Sequence, residues 1–514
     1  MKRQLLLLFL TAVCLWACKK NNEGTNGVTR ATDSVGLNLF KIELKNNTGK
    51  ITADVSCTIT GDSIIAVIPE MTNNNKWVVT FSTKSNGTVV KANDTLAASG
   101  VTVTDFSKPV IYALTSSTGL TKNYKVKIKV FTGLPVLYLS TEAPVVSKDV
   151  YVKGKLDIDP NVDVEQAVNH IPLQIKGRGN STWTNFPKKP YRLKFDSKAA
   201  MLGMPAAKNW VLLANYDDKT LIRTKIAFEL ARRLKSDFAP QSRFVEVVMN
   251  GEFLGNYLLT SQVEVNENRV NITELKSAAT NITGGYLIEL DSRLDADYWF
   301  KTPLKNLPFV VKSPEDITAP QLAYIKDYFQ KTEEALYAAN WTDPVNGYAK
   351  YIDAESFMRW YMVEEIVKNP DSWDFSSIFY YKDVNGKLSM GPVWDFDLSG
   401  GNCDYSPVRF FTDWYSRNAV WMIQLAKDPA WNFKFRKKWA AVRPKEVQQV
   451  IADIDYYSSY LKLSQARNFK KWPILDQYVW PNAVVLGSYD KEVDYLKNYM
   501  TQRIAWIDAN ISSY

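Results

Sequence analysis

The stretch that most constrains this protein is residues 370–400, which read PDSWDFSSIFYYKDVNGKLSMGPVWDFDLSG. An Asn-Gly pair at 385–386 separates two apolar runs, and this dipeptide is the strongest short signal for a β-hairpin. If these two residues form the loop, positions whose numbers sum to 771 pair across the hairpin, so Asp374 lies opposite Asp397. Because side chains on one strand face recur every second residue, Asp395 shares the face of Asp397. The stretch therefore predicts three carboxylates at the open end of one hairpin.

Three neighbouring carboxylates repel one another unless a cation lies between them, and oxygen ligands favour Mg²⁺, Mn²⁺ or Ca²⁺. One interpretation is structural, with the acids capping turns and pairing with lysine or arginine. A second is a calcium site, because Asp395-x-Asp397-x-Ser399 opens like an EF-hand loop, although Ser406 stands where that loop has its final Glu. A third is phosphoryl transfer, in which one aspartate accepts the substrate proton, others hold Mg²⁺, and cations hold the phosphates.

The histidine content restricts the chemistry further. Of 514 residues, of which 46% are hydrophobic and 23% charged, only His170 is a histidine. A composition of this kind is typical of a folded protein. Ser-His-Asp triads, Cys-His pairs and histidine-rich metal sites that do not use His170 are excluded. Carboxylates and cations must carry any catalysis, which fits phosphoryl transfer and also a glycosidase whose tryptophans stack on sugar.

A basic segment supplies the cations. Residues 175–183 read IKGRGNSTW and residues 187–195 read PKKPYRLKF. A strand that enters a Gly-x-Gly turn lets backbone amides face an anion. Between positions 176 and 237 there are 14 Lys and Arg against 5 Asp and Glu, an excess equal to the net charge of +9 of the whole chain. Phosphate is the predicted ligand, although solvated strand lysines produce much of the same pattern. Nucleic acid is not expected, since no basic and aromatic platform repeats along the chain.

The N-terminus has the features of a bacterial lipoprotein signal. A basic start at 1–3 precedes an apolar run at 5–10 that is too short to span a membrane, and the residues LWAC end at Cys18. We predict cleavage of a signal peptide of residues 1–17, lipidation of Cys18 and a flexible tether over residues 18–35. The expected location is a membrane, at the periplasm or cell surface, and the sequence leaves open whether it is the inner or the outer membrane.

Two domains are expected behind the tether. Residues 36–133 show short runs of alternating apolar residues, which predict an all-β sandwich, and segments such as Gly100–Ser107 resemble immunoglobulin-like modules of bacterial surface lipoproteins. Residues 134–514 mix strands with helices and predict one larger α+β domain. In this domain Asp353 is expected to cap a helix, and apolar residues spaced by three and four predict a final helix with one buried face. The fold class is therefore multidomain.

Residues 134–514 resemble the CotH family, named for a spore-coat protein and described as atypical protein kinases. Its order of motifs is matched by Lys176–Trp183, Lys188–Phe195, Lys208–Ala214 with Asp218 and Arg223, and Gly391–Asp397. The resemblance implies an atypical protein-kinase-like fold and transfer of the ATP γ-phosphate to Ser or Thr, including autophosphorylation, with Mg²⁺ or Mn²⁺.

The resemblance also implies roles for individual residues. Asp374 would be the catalytic residue, and Asp395 and Asp397 would bind the metal. The residues expected at the nucleotide and its phosphates are Arg178, Lys189, Arg192, Lys194 and Trp394.

The sequence differs from the family's motifs at one position, and one alternative to kinase activity stays open. Some members carry Asn a few residues after the catalytic Asp, where this chain has Ser376 and Ser377, so the second metal contact differs. Because ATP is scarce outside the cytoplasm, the alternative is a surface lipoprotein that keeps the scaffold to bind glycan or protein without kinase activity. The expected partners are the membrane, through Cys18, and a protein substrate or surface glycan.

Overall fold

The computed structural model describes residues 34–51, 53–68, 76–130, 132–160 and 168–514. The predicted signal peptide, Cys18 and nearly all of the predicted tether lie outside these ranges. The chain divides into two compact units, one formed mainly by residues up to Lys129 and the other by residues from Val130 onward. Among the described residues, no helix has both the length and the apolar composition needed to cross a membrane.

The first unit is built from β-strands in its described residues. Eight strands form one sheet in the order β5-β1-β2-β3-β10-β9-β6-β7, and β4 pairs with β8. The strands are β1 Leu37–Ile42, β2 Val55–Thr60, β3 Ser63–Ile68, β4 Lys76–Val78, β5 Thr80–Thr83, β6 Val89–Ala92, β7 Thr95–Leu96, β8 Val103–Asp105, β9 Val110–Thr115 and β10 Thr121–Val130. Burial alternates along β3 and β9, as expected for half-buried strands. Immunoglobulin-like topology stays a prediction.

The second unit starts with a closed barrel of seven strands in the order β11-β12-β13-β14-β15-β17-β16. These strands are β11 Val136–Thr141, β12 Val152–Asp159, β13 Val168–Gly177, β14 Tyr191–Met201, β15 Met204–Leu213, β16 Ser242–Met249 and β17 Glu252–Ser261. All neighbours are antiparallel except β11 and β16, which are parallel. Alternate residues such as Leu193, Phe195 and Trp210 are buried in one cluster with their neighbours on the other strands.

A five-stranded antiparallel sheet follows the barrel in the order β19-β20-β18-β21-β22. Its strands are β18 Tyr286–Leu290, β19 Trp299–Lys301, β20 Pro308–Ser313, β21 Ile378–Lys382 and β22 Leu388–Met390. Helices lie between and after the strands of this unit, and they are α1 Ser181–Asn185, α2 Arg223–Arg233, α3 Ala319–Tyr337, α4 Ala354–Val367, α5 Val420–Leu425, α6 Pro429–Val442, α7 Gln449–Tyr460, α8 Lys462–Lys471 and α9 Tyr489–Asn510. The fold is therefore a multidomain mixture of α and β structure.

Two helix predictions are confirmed. The Asp353 side chain accepts hydrogen bonds from the backbone N–H groups of Glu355 and Ser356, and so caps α4. Along α9 the residues spaced by three and four, from Val493 to Ile507, are buried. Short-range patterns were sufficient here because capping and amphipathicity depend on residues within a few positions of each other.

The predicted hairpin register is wrong by one residue. Tyr380 pairs with Met390 and Lys382 with Leu388, so paired positions sum to 770 rather than 771. The connection spans residues 383–387 because the Gly386 N–H bonds to the Asp383 carbonyl, one residue earlier than a two-residue loop requires. Strand β21 begins at Ile378 and strand β22 ends at Met390, so neither strand includes any of the three aspartates. Asp374 therefore does not pair with Asp397.

Candidate functional site

The second unit contains a cavity of about 380 Å³ between the barrel strands β13 to β15 and the β18/β21 side of the five-stranded sheet. Cavities of this size hold small-molecule ligands. Its charged lining residues are the cations Lys148, Lys176, Arg178, Arg192, Arg293 and Lys312 and the acids Asp149, Asp217, Glu289, Asp291, Asp295, Asp371, Asp395 and Asp397. Both of the sequence segments singled out above reach this cavity.

A glycine turn brings Arg178 to the cavity. Strand β13 ends at Gly177, and a Cβ atom there would lie 2.3 Å from the ring of Trp183. Gly179 has φ +82°, which side chains rarely adopt, and an added Cβ would lie 2.2 Å from Thr182 Oγ1. The Gly-x-Gly sequence therefore exists because Trp183 and Thr182 fold back on the turn, and it presents the intervening arginine to the cavity.

Three cations form one wall of the cavity. Lys176 and Arg192 are paired across β13 and β14, and Arg178 follows directly after β13. The Arg178 guanidinium lies 5.6 Å from the ring centroid of Trp394. Burial lowers the pKa of Lys176, and the positive charge of Arg192 lowers it further. Arg192 Nε is buried and has no hydrogen-bond partner among the described residues. This wall concentrates positive charge where an anion would be bound.

Two of the predicted phosphate-binding lysines lie elsewhere. Lys189 does not line the cavity, and its Nζ donates to the Trp183 carbonyl at 2.5 Å. Lys194 is exposed and lies 5.9 Å from the ring of Tyr151. Successive residues of β14 point to opposite faces, so Arg192 and Lys194 share a face, but only Arg192 is close enough to the turn to reach the cavity.

In the same cavity, Asp397 lies next to Asp217. Burial and the charges of Asp217 and Asp395 raise the pKa of Asp397 well above its ordinary range. Burial also raises the pKa of Asp217, to about 7. The buried Asp217 Oδ1 has no hydrogen-bond partner among the described residues. Two adjacent buried carboxyl groups of this kind repel each other when both are ionised.

Asp371 lies in the same cavity, whereas Asp374 does not. Asp371 is in a 3₁₀ turn after α4, and burial, together with the charge of Asp395, raises its pKa to about 7. The backbone at Asp374 has φ 53°, and its Oδ2 accepts a hydrogen bond from the Val420 N–H at 2.6 Å. The structure thus brings Asp371 together with Asp395 and Asp397, and it directs Asp374 to the start of α5.

Asp395 is held at the cavity by its neighbours. Its backbone has φ 67°, and its Oδ2 accepts a hydrogen bond from Ser377 Oγ at 3.1 Å. Ser376, which precedes Ser377, donates from its Oγ to Asp371 Oδ2 at 3.3 Å. The two serines therefore contact the two aspartates in the region where some CotH proteins are expected to have asparagine.

Asp218 and Arg223, which belong to the sequence motifs, support the site from behind. Asp218 accepts hydrogen bonds from Thr220 and from the backbone and guanidinium of Arg223, the last at 2.6 Å. Arg223 Nε donates to the Ser399 carbonyl at 3.0 Å. The buried ion pair thus joins the start of α2 to the segment that carries Asp397.

Sequence reasoning missed Asp217 and Asp371 as site residues. Asp371 lies three positions before Asp374, and the helix-ending Pro370 was a signal that a turn, not a strand, begins there. Asp217 directly precedes Asp218, which belongs to one of the family motifs, but Asp217 itself is part of no recognisable sequence pattern. Its position depends on the cavity that the barrel and the five-stranded sheet form together.

In the described part of the chain, no group of three or more His, Cys, Asp or Glu side chains is arranged to hold a metal ion. The donor chemistry nonetheless fits Mg²⁺ or Mn²⁺, because Asp217 and Asp397 are adjacent oxygen ligands with one unpartnered oxygen. Protein sites for Mg²⁺ usually supply one or two carboxylates, and substrate phosphates and waters complete the coordination. The pair therefore suits a metal that arrives with a nucleotide.

Comparison with known proteins identifies a family for this chain. No curated protein matches this chain at a significant level. A crystal structure from Bacteroides thetaiotaomicron VPI-5482, named as a candidate glycoside hydrolase, matches with 18% identity over 37% of this chain and 54% of that one, at a TM-score of 0.17. At that TM-score the likeness carries no argument about fold or activity. A family model described as CotH kinase protein matches residues 175–507, well over half of the chain. The chain therefore belongs to the CotH kinase protein family.

Proposed function

We propose that this protein transfers the γ-phosphate of ATP to a Ser or Thr hydroxyl, with Mg²⁺ or Mn²⁺ as cofactor. One observation supports this above the others: a single cavity is lined by the cations of β13, β14 and the glycine turn and also by several carboxylates. Phosphoryl transfer depends mainly on positioning and on electrostatic stabilisation of phosphate charge. It also needs no imidazole, in agreement with the single histidine, His170.

The cationic wall is the proposed phosphate site. Lys176, Arg178 and Arg192 lie on adjacent strands and on the glycine turn between them. An arginine can bind two phosphate oxygens at once, and such charge-assisted hydrogen bonds are the stronger ones in proteins. Trp394, which is buried beside Arg178 and Phe228, holds the arginine at the cavity.

Asp217, Asp395 and Asp397 are the proposed metal side of the cavity. A bound divalent cation would neutralise phosphate charge and orient the phosphates. Asp397 and Asp217, which are adjacent, would supply the metal-binding oxygens, and Asp395, which Ser377 orients, would add its charge to this side of the cavity. Asp217 lies in the loop after β15, so metal binding would connect the barrel to the segment that follows β22.

Asp371 is the proposed acceptor of the substrate proton, in place of Asp374. It lines the cavity beside Asp395, and burial raises its pKa to about 7, which suits a group that must exchange a proton near neutral pH. Burial also raises the pKa of Asp374, to about 6, but Asp374 does not line the cavity, and its Oδ2 accepts a hydrogen bond from the Val420 N–H. Ser376, which donates to Asp371, keeps the acid oriented.

The test is incubation of purified protein with labelled ATP and Mn²⁺ or Mg²⁺, measured as autophosphorylation and as label on Ser and Thr peptides. We expect Asp371→Asn to lower the rate by about 10²- to 10⁴-fold, the usual contribution of a positioned base. The matched control is Asp374→Asn, whose amide oxygen can still accept from the Val420 N–H, and it should retain nearly the full rate.

Two outcomes would contradict the proposal. Equal rates in the wild type and Asp371→Asn would exclude Asp371 as the base. No label in any wild-type reaction, combined with binding to a glycan array, would favour the alternative of a surface binding protein. The setting we propose for either activity is the membrane at the periplasm or cell surface, reached through lipidated Cys18.

A further inference from the structure

We infer that two buried asparagines, Asn369 and Asn402, are positioning residues that set the spacing of the acidic segments in the cavity. Both are 3% exposed. Each uses its side-chain amide to join the backbones of two aspartates that are distant in sequence. The inference rests on the proposed function, because phosphoryl transfer requires these acids to act together in one cavity.

Asn369 joins the segments of Asp371 and Asp395. Its Oδ1 accepts from the Asp371 N–H at 3.2 Å, and its Nδ2 donates to the Asp395 carbonyl at 3.1 Å. Its own backbone is held as well, because its N–H donates to the Glu364 carbonyl and its carbonyl accepts from Ser372 Oγ at 2.7 Å. One amide therefore connects the end of α4 to the segment after β22.

Asn402 joins the segments of Asp217 and Asp397. Its Nδ2 donates to the Asp217 carbonyl at 3.0 Å and to the Asp397 carbonyl at 2.8 Å. A third buried asparagine, Asn482, donates to the Asp217 carbonyl at 2.6 Å and to Asn402 Oδ1 at 3.1 Å. The two amides thus form a chain that holds the loop after β15 against the segment of Asp397.

The choice of atoms shows what these amides do. In these bonds they contact the backbones of the aspartates, so the carboxylates stay available to the cavity. The four acids repel one another when ionised, and this repulsion would spread their segments apart unless other bonds held them. Residues that orient metal ligands from behind typically change metal affinity or activity by 10- to 100-fold when they are mutated.

The test is Mn²⁺ binding, followed by electron paramagnetic resonance, with and without a non-hydrolysable ATP analogue. We expect Asn369→Ala and Asn402→Ala each to weaken Mn²⁺ binding by about 10- to 100-fold. The matched control is Gln321→Ala, because Gln321 is also a fully buried amide of the second unit. It donates to the Lys276 carbonyl at 2.8 Å and accepts from the Thr318 N–H at 3.0 Å, and it does not line the cavity.

A purely structural role would lower the melting temperature of all three variants and leave their Mn²⁺ affinities equal, which would overturn the inference. If an alanine variant does not fold, Asn369→Ser and Asn402→Ser replace it, since serine is polar but too short to span both backbones. The proposed function can fail separately. A wild type that binds Mn²⁺ but transfers no phosphate would refute the kinase proposal, whereas Mn²⁺ binding that the asparagine variants leave unchanged would refute the positioning role.

Discussion

Asp217 and Asp218, which are neighbours in the sequence, should change the stability of the protein in opposite directions when each is replaced by asparagine. Asp217 is 3% exposed and Asp218 is 1% exposed, and among the residues that the structure describes only Asp218 has an arginine partner. Asp217 faces other carboxylates, and its Oδ1 has no hydrogen bond to any described residue. In metal-free protein we therefore expect Asp217→Asn to stabilise the second unit and Asp218→Asn to destabilise it.

The magnitude for Asp217 follows from its pKa. Burial raises that pKa from 3.8 to about 7, so the folded protein keeps a proton that the unfolded chain releases. The contribution of Asp217 to the free energy of unfolding then falls by about 1.4 kcal/mol for each pH unit between about pH 4 and about pH 7. Above about pH 7 this contribution is constant. Removing the carboxylate should stabilise the protein by about 2 kcal/mol at pH 5 and about 4 kcal/mol at pH 8.

The sign is reversed for Asp218. Its carboxylate accepts from Arg223 at 2.6 Å and from Thr220, and Asn in its place leaves a buried guanidinium without its counter-ion. Breaking one partner of a buried ion pair costs about 3–5 kcal/mol. Arg223 also donates to the Ser399 carbonyl, so its displacement should loosen the segment that carries Asp397.

The assay is denaturant unfolding in the presence of EDTA at pH 5 and pH 8, followed by tryptophan fluorescence. All tryptophans except Trp16 and Trp77 lie in the second unit, so the signal reports mainly on that unit. The reasoning is refuted if Asp217→Asn is less stable than the wild type at pH 8, or if its effect is equal at the two pH values. In a parallel series without EDTA, added Mn²⁺ should stabilise the wild type more than Asp217→Asn.

Three further predictions concern the cationic wall, the glycine turn beside it and the lipidation of Cys18. Arg178→Met should weaken binding of a non-hydrolysable ATP analogue by about 10- to 100-fold in calorimetry, because a charged hydrogen bond contributes about 1.5–3 kcal/mol; unchanged affinity would exclude Arg178 from the phosphate site. Gly177→Ala should displace Trp183, whose ring lies 2.3 Å from the added Cβ, and so lower both nucleotide affinity and melting temperature; a crystal structure of the variant with an unmoved Trp183 would contradict this. Cys18→Ala should abolish palmitate labelling and release the protein from the membrane fraction, and labelling that persists would exclude Cys18 as the lipidated residue.

Much of the site was predictable because its signals are local. The basic segment at 175–195 and the acidic segment at 370–400 both reach the cavity, since glycine turns and hydrophobic alternation act within a few residues. The cap at Asp353 and the buried face of α9 have the same origin. A family resemblance carried by four separate motifs placed these segments in one domain, and the family model confirms that membership.

The predicted register failed for a physical reason. The Asn-Gly pair at 385–386 does lie in the hairpin connection, but the Asp383 carbonyl accepts from the Gly386 N–H and lengthens the loop to 383–387. A shift of one residue places side chains on opposite faces, so arithmetic based on a shorter loop pairs the wrong positions. The Asp383 side chain also accepts from the Thr273 N–H, a contact from a distant segment that no local pattern reveals.

The sequence by itself determined the available chemistry. In a chain with a single histidine and a concentrated basic segment, carboxylates and cations must carry any catalysis, and the motifs of this chain identified its family. Only the tertiary structure decided which acids meet. Asp371 lines the cavity because the chain turns after α4, and Asp374, three residues on, is engaged by α5. Asp217 joins them because the barrel and the five-stranded sheet border one cavity. Contacts between segments so far apart depend on the packing of whole elements, which neighbouring residues do not determine.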